Sequence, residues 1–333
     1  MLRSRSLSFV IGCAMLASCG GDSGSGSSSG GGGSGGNGGG GGGTPTPAPA
    51  PAPTYQTFAQ LTGTQTFNTT CGGFYIEPGN TPFAVGGMAV GTGVKIVSDR
   101  SAPTYDVSSD GTGLFATFAT SFTQADRDTS VSGEAYKKVV PSGFTERFSI
   151  FPITQNGAEL EHLRVASFIA QNGQGYTSQI CALGVPTIST DVPASIVTYA
   201  NVAILGNAYV VENAGAGPIS NYRIGKSTVT LKANPTNGRL DFTLNLKGQL
   251  VTQGAVSDTF TDIGTFSGNT TFDGTEPGYT DLIVNSDNVV AGNFGGGFFG
   301  PQGKTAAVSV GMQTRRADDS DVLLGALFIL RPQ

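Results

Sequence analysis

Beyond residue 53, hydrophobic and polar positions alternate with period two, and nowhere do they sustain the three-to-four spacing of a long amphipathic helix. The cleanest alternations are Val229-Thr230-Leu231-Lys232 and Asp241-Phe242-Thr243-Leu244-Asn245-Leu246, with Asn237-Gly238 between them as a two-residue hairpin signal. The pattern predicts eight strands in the second half: 198–211, 226–232, 239–246, 259–269, 279–285, 289–299, 305–314 and 322–330. Arg316-Ala317-Asp318-Asp319-Ser320-Asp321 makes the last turn. In Ala291-Gly292-Asn293-Phe294-Gly295-Gly296-Gly297-Phe298-Phe299-Gly300-Pro301, aromatics interleave with glycines. Glycine within a strand marks a bend or a close backbone approach, and beside aromatics it suits strands that curl. The expectation is all-β: an eight-stranded antiparallel barrel filled by side chains, with a two-sheet sandwich as the other solution.

The first half, residues 54–187, carries a less regular rhythm. Strands are predicted at 87–97, 104–107, 113–118, 144–150, 163–170 and 176–183. Pro78-Gly79, Ser109-Asp110-Gly111, Asn156-Gly157 and Asn172-Gly173 supply turns. Residues 124–139 are more charged and read as a short helix or a long loop. Prolines at 186 and 193 break both helix and central strand, so the stretch around them reads as a linker. It divides a β-rich, handle-like N-terminal domain, 54–187, from the barrel domain, 188–333.

The alternation is absent from the first 53 residues, and composition explains why. Arg3 and Arg5 precede a short apolar run that ends in Leu16-Ala17-Ser18-Cys19. The run is too short to span a bilayer. Together these features form a bacterial lipoprotein signal peptide, residues 1–18, with Cys19 as the lipidated first residue of the mature chain. Several acyl chains on Cys19 anchor stably to a membrane. Gly20 rather than an aspartate follows, which favours the outer membrane. Residues 20–43 are nearly pure Gly and Ser, and 44–53 read TPTPAPAPAP. The first is a flexible coil and the second a stiffer polyproline-II spacer. The leash reaches about 30 Å root-mean-square and about 115 Å fully extended. That reach suits display at a crowded cell surface.

Losing the leader removes two arginines and no acid from a chain of formal net charge −5. An acidic body is a poor partner for nucleic acid, which demands a basic footprint. Of four cysteines, Cys13 leaves with the leader and Cys19 takes the lipid, so Cys71 and Cys181 remain. In an exported protein a lone pair is most simply a disulfide, closing a loop of about 110 residues and contributing about 4–5 kcal/mol in the chain-entropy picture. Two free buried thiols are the other reading.

No constellation for catalysis or metal binding emerges, and no cofactor is expected. Gly-x-Ser-x-Gly occurs around Ser28 and Ser34, but inside the leash, without the strand and helix of a nucleophile elbow. His162 is the only histidine and sits beside Glu159 and Glu161, as an exposed polar residue would. Asp318, Asp319 and Asp321 lack the glycine and distal glutamate of a calcium loop, and Asp126-Arg127-Asp128 reads as another solvated turn. Ile224-Gly225-Lys226-Ser227-Thr228 imitates the end of a phosphate loop, but Ser220 stands where the first glycine belongs. Phe294, Phe298 and Phe299 are expected to fill the barrel. Loops at 78–83 and 124–138 are the places left for a binding surface.

Several segments of the second half then align with a family. Leu183-Gly184-Val185-Pro186-Thr187 with Val192-Pro193-Ala194-Ser195, Thr198-Tyr199-Ala200, Gly206-Asn207-Ala208-Tyr209, Leu240-Asp241-Phe242 and Thr265-Phe266-Ser267-Gly268 follow in order. Gly292-Asn293-Phe294, Gly297-Phe298-Phe299-Gly300-Pro301 and Leu324-Gly325-Ala326-Leu327-Phe328 complete the series. Together they resemble the barrel domain of transferrin-binding protein B-like surface lipoproteins, a group that includes transferrin-binding protein-like solute-binding proteins. Gln302-Gly303-Lys304 departs from that pattern after the Gly-Pro. The resemblance implies a non-enzymatic, monomeric lipoprotein of the outer membrane, exposed at the cell surface. Its expected partner is a host or environmental protein or solute, with iron- or haem-related cargo as one specialisation. A structural or adhesive envelope lipoprotein without a small-molecule ligand is the alternative.

Overall fold

A computed structural model describes residues 53–109, 117–272, 278–284 and 291–333. Residues 52–333 fold as one compact unit. The chain is all-β, and among the described residues the longest helix is the single turn Glu212–Gly215. The strands of the first half are β1 (Thr64–Asn68), β2 (Thr70–Ile76), β3 (Phe83–Gly86), β4 (Val94–Asp99), β5 (Thr104–Ser109), β6 (Phe118–Phe122), β7 (Glu134–Val139), β8 (Thr145–Phe151), β9 (Thr154–Gln155), β10 (Ala158–Glu159), β11 (Leu163–Asn172) and β12 (Gly175–Gly184). Those of the second half are β13 (Val197–Val211), β14 (Ile219–Ile224), β15 (Thr228–Asn234), β16 (Arg239–Thr252), β17 (Ala255–Val256), β18 (Thr261–Thr271), β19 (Gly278–Val284), β20 (Ala291–Phe299), β21 (Thr305–Arg315) and β22 (Asp321–Pro332).

In the first half, a four-stranded sheet ordered β1-β4-β5-β6 faces a six-stranded sheet ordered β3-β2-β12-β11-β8-β7. Alternation makes β8 one-sided: Glu146, Phe148 and Ile150 turn inward while Arg147 is exposed. The inward faces meet in a core of Phe67, Ile96, Tyr105, Phe122, Tyr136, Phe148 and Phe168. Aromatics this large bring much of the buried area per residue.

The stretch 124–139 differs from the expected helix or long loop. It makes one 3-10 turn, Gln124–Asp126, and then strand β7 along the sheet edge. Its inward residues are Glu134, Tyr136 and Lys138, and their polar tips hid the alternation. The stem of Lys138 covers Phe122, with the ammonium 5.0 Å from the ring centre and 2.6 Å from the Ser121 carbonyl oxygen. The strand expected at 87–97 occupies only 94–99. Of the strand expected at 113–118, Phe118 is the first residue of β6, and 113–116 lie outside the described residues.

The second half is one antiparallel sheet. Pairing runs β13-β15-β16-β18-β19-β20-β21-β22, and β13 pairs again with β22 from Tyr199↔Pro332 to Val211↔Asp321. Among the described residues β18 meets β19 at Ser267↔Val284 and Gly268↔Ile283. This wrapped sheet encloses Tyr199, Leu231, Phe242, Leu244, Phe294, Val308, Val310 and Phe328. The predicted strand at 226–232 is the C-terminal part of a longer run, in which β14 and β15 both lie beside β13 and β16. Residues 285 and 289–290, expected at strand ends, lie outside the described residues.

The halves meet on bare backbone. β2 and β3 lie against β20, β21 and β22 along a seam of glycines. A Cβ on Gly72 would stand 2.0 Å from the Ala326 carbonyl oxygen, and one on Gly325 would stand 2.2 Å from that of Gly73. At Gly295 the nearest atom would be the Gly87 carbonyl oxygen, 2.5 Å away. Ser309, on β21, ties the seam: its hydroxyl bonds with that of Thr70 at 2.6 Å and accepts the Gly87 N–H at 3.2 Å. The connector between the halves is packed as well. The Thr187 hydroxyl donates to the Gly300 carbonyl at 2.6 Å, its N–H donates to Phe298 at 2.9 Å, and Pro186 bridges to Phe299.

Candidate functional site

Cys19 lies outside the described residues, so its lipidation stays an expectation from sequence. Cys71 and Cys181 form a disulfide. They sit directly opposite each other on β2 and β12, and both are buried. Its place is structural: the bond joins the second strand of the body to the last strand of the first half.

His162 is half-buried rather than exposed. Its ring meets Tyr55 edge-on at 6.1 Å, and Gly300 leaves room for it, since a Cβ there would lie 2.9 Å from Nδ1. Burial, aided by Lys304, holds its pKa below the ordinary value against the opposing charge of Glu161. The acidic turns are internally satisfied. Asp318 accepts the N–H of Ser320 at 3.1 Å and its hydroxyl at 2.5 Å, and Asp321 pairs with Arg315 at 2.9 Å. Asp126 accepts the Thr123 N–H at 2.8 Å. Asp128 takes the Ser130 hydroxyl at 2.5 Å and Lys137 at 3.1 Å, and these partners hold its carboxyl at about 2. Among the described residues no group of three or more His, Cys, Asp or Glu side chains converges as a metal would require.

The imitation phosphate loop is a kink between β14 and β15. Lys226 turns there at φ 50° and lies over the Phe260 ring at 4.6 Å, while the Ser227 hydroxyl donates to the Lys247 carbonyl at 3.0 Å. Phe294 and Phe298 fill the wrapped sheet, the first stacked on Phe242 at 4.9 Å, the second 5.7 Å from Tyr199. Phe299 instead faces outward, into the cluster of Leu163, Val165 and Leu327 between the halves.

The stretch 124–138 does border a cavity, through Val131 to Ala135, and the rest of the lining comes from residues absent from the sequence reading. A half-open cavity of about 490 Å³ lies where the 3-10 turn Phe58–Gln60 meets the start of β7 and the end of β8. Phe58, Arg100, Val131, Ile150, Phe151 and Arg164 line it. Phe58 is placed by its N–H to the Glu161 carbonyl, 2.7 Å, and by stacking on Phe67 at 5.4 Å. Two guanidinium groups attend its ring, Arg100 at 4.9 Å and Arg164 at 5.1 Å.

Arg164 is held rigidly: it donates to the carbonyls of Leu160 and Leu163, at 2.8 and 2.9 Å, and to Glu159 at 2.8 Å. Burial lowers its pKa from the usual value. Arg100 makes no ion pair or side-chain hydrogen bond among the described residues. Glu134, also at the cavity, is occupied by the hydroxyls of Tyr105 and Tyr136. Burial and that carboxylate push the Tyr105 pKa well above the ordinary phenol value. No sequence spacing connects residues 58, 100, 134 and 164, so only the folded sandwich brings them together.

No protein-family model matches the chain, and no curated protein matches it in sequence. Among solved structures, the chain is similar to the vaccine antigen transferrin-binding protein B of Haemophilus parasuis Hp5. A tryptophan-to-alanine mutant of that protein matches at TM-score 0.35 and 13% identity, over 73% of this chain and 55% of that one. A double mutant matches at TM-score 0.33 with the same identity and coverage. The N-lobe domain of lactoferrin-binding protein B of Moraxella bovis matches at TM-score 0.33 and 12% identity, over 82% of this chain and all of that one. The chain thus spans about half the length of the two Haemophilus chains. Likeness at this level is one of fold alone.

Proposed function

We propose that the protein is a lipid-anchored binding protein of the outer membrane, displayed at the cell surface and capturing a protein or solute without catalysis. One observation carries the reading: a lipobox cysteine, a long leash and a rigid all-β body follow one another along the chain. The leash enters the body at Tyr55, whose hydroxyl oxygen accepts the Ile188 N–H at 3.0 Å beside the β20–β21 turn. The turns at 212–218, 257–260 and 316–320 belong to the opposite strand ends and point away from that attachment. Loops held on a rigid scaffold are a common place for recognition. The sequence motifs shared with transferrin-binding protein B-like lipoproteins support capture of a host or environmental protein or solute, iron- or haem-bearing cargo included.

Proteinase added to intact cells is expected to digest the wild-type body, and Cys19→Ala is expected to release it from the membrane fraction. A body protected on intact cells refutes surface display, and a membrane-bound Cys19→Ala refutes the anchor. Capture of a component from growth medium or host material by the full chain supports binding. Cell-to-surface attachment without any captured component favours the adhesive alternative.

A further inference from the structure

We infer that the cavity between the Phe58–Gln60 turn and the β7–β8 edge is a binding site for an apolar monocarboxylate, meaning a small aliphatic or aromatic acid with one ionised carboxyl. The inference deepens the binding reading by naming a ligand class.

Three observations point the same way. A guanidinium offers five donors in a planar fork that matches a carboxylate. Arg100 presents that fork with no carboxylate partner among the described residues, held against the Phe58 ring at 4.9 Å. Arg164 stands on the same ring, its position set by two backbone carbonyls and Glu159. Glu134, the carboxylate in the lining, accepts hydrogen bonds from the Tyr105 and Tyr136 hydroxyls and forms no ion pair with Arg100. Arg164 is already paired with Glu159, so the donor fork left open to a ligand is that of Arg100.

The lining decides which anion. Phe58, Val131, Ile150, Phe151 and Pro152 make most of the wall apolar. Such a wall favours a hydrophobic body and disfavours a strongly hydrated anion such as free phosphate. A volume of about 490 Å³ falls within the usual range of small-molecule sites. The carboxylate would lie between the two guanidiniums, with the apolar body running toward Val131 and Phe151. Recognition needs no covalent step.

Titration of the full chain with octanoate and benzoate, followed by calorimetry, tests the site. Neutral octanol and inorganic phosphate serve as comparators. Saturable binding of at least one acid is expected, weakened about ten-fold or more in Arg100→Gln. Val131→Trp, at an exposed position of the mouth, is expected to block entry while leaving thermal unfolding unchanged. Arg100→Lys, which keeps the charge and loses the fork, is expected to fall between. Octanol binding as tightly as octanoate, phosphate binding as tightly as either acid, equal affinity in Arg100→Gln, or no saturation by either acid overturns the inference. These outcomes are independent of membrane face and of cargo captured at the distal loops, so failure here leaves the surface-binding reading standing, and the reverse.

Discussion

The wrapped sheet and the two-sheet half solve one problem, burying one face of a sheet, by different means. The wrapped sheet folds its apolar face onto itself, and its interior is almost wholly hydrocarbon and aromatic. The first half presses two sheets together and buries charge in doing so: Glu146, 4% exposed, accepts the Thr120 hydroxyl and lies 3.4 Å from Lys138. It also carries the disulfide. Where alternation is complete the interior needs no covalent support, and where polar groups interrupt it a cross-link and a hydrogen-bonded network stand in.

The largest expected effect lies in the wrapped sheet. Phe242→Ala removes one member of the Phe242–Phe294 stack and is expected to destabilise by about 3–5 kcal/mol in urea unfolding. A loss below about 1 kcal/mol would mean that the interior is not the close-packed core described. Next comes the paired change Cys71→Ala with Cys181→Ala, expected to lower stability by about 2–5 kcal/mol. Reductant is expected to destabilise the wild type and leave that double variant unaffected. Equal response of both proteins would break the contrast between a stapled half and an unstapled one.

At the seam, Gly325→Val is expected to cost about 1–3 kcal/mol or more, because its side chain meets the Gly73 backbone. Its signature is loss of protection in hydrogen exchange at β2 and β3, with β13 less affected. The smallest effect is electrostatic. Asp128 has a carboxyl lowered to about 2, so its contribution is fully present above the ordinary carboxylate value and fades as pH falls from about 4 to about 2. Asp128→Asn is expected to lower the urea midpoint at about pH 6 and to converge on the wild type as pH falls through about 2. A difference that persists in acid would assign the loss to packing rather than charge.

Period-two alternation made the second half legible nearly strand by strand, since its interior positions are apolar at almost every turn of the pleat. It failed at β7, where Glu134 and Lys138 face inward with their charged ends satisfied. It failed also at β2, where Cys71-Gly72-Gly73 is buried on both faces and shows no alternation to read. The glycines of 292–297 were legible as special but for an incomplete reason. Curvature accounts for some, yet Gly295 is bare because residues 87 and 88 of the other half lie on it. The cavity residues were not legible at all, because two guanidiniums and a ring from three separated segments leave no periodic trace.

The seam also dictates the order in which the body can mature. Thr70 and Ser309 are 239 positions apart, and Gly72 and Gly73 reach their final neighbours only at Gly325 and Ala326. Contacts so distant along the chain make folding slow. A chain emerging amino end first leaves β2 and β3 with an open flank until β20, β21 and β22 arrive. For that interval the exposed strands invite pairing with neighbours. The protein's vulnerable moment is thus its own synthesis, and a chaperone that shields residues 70–86 until the last strands have formed would raise its yield without touching its final stability.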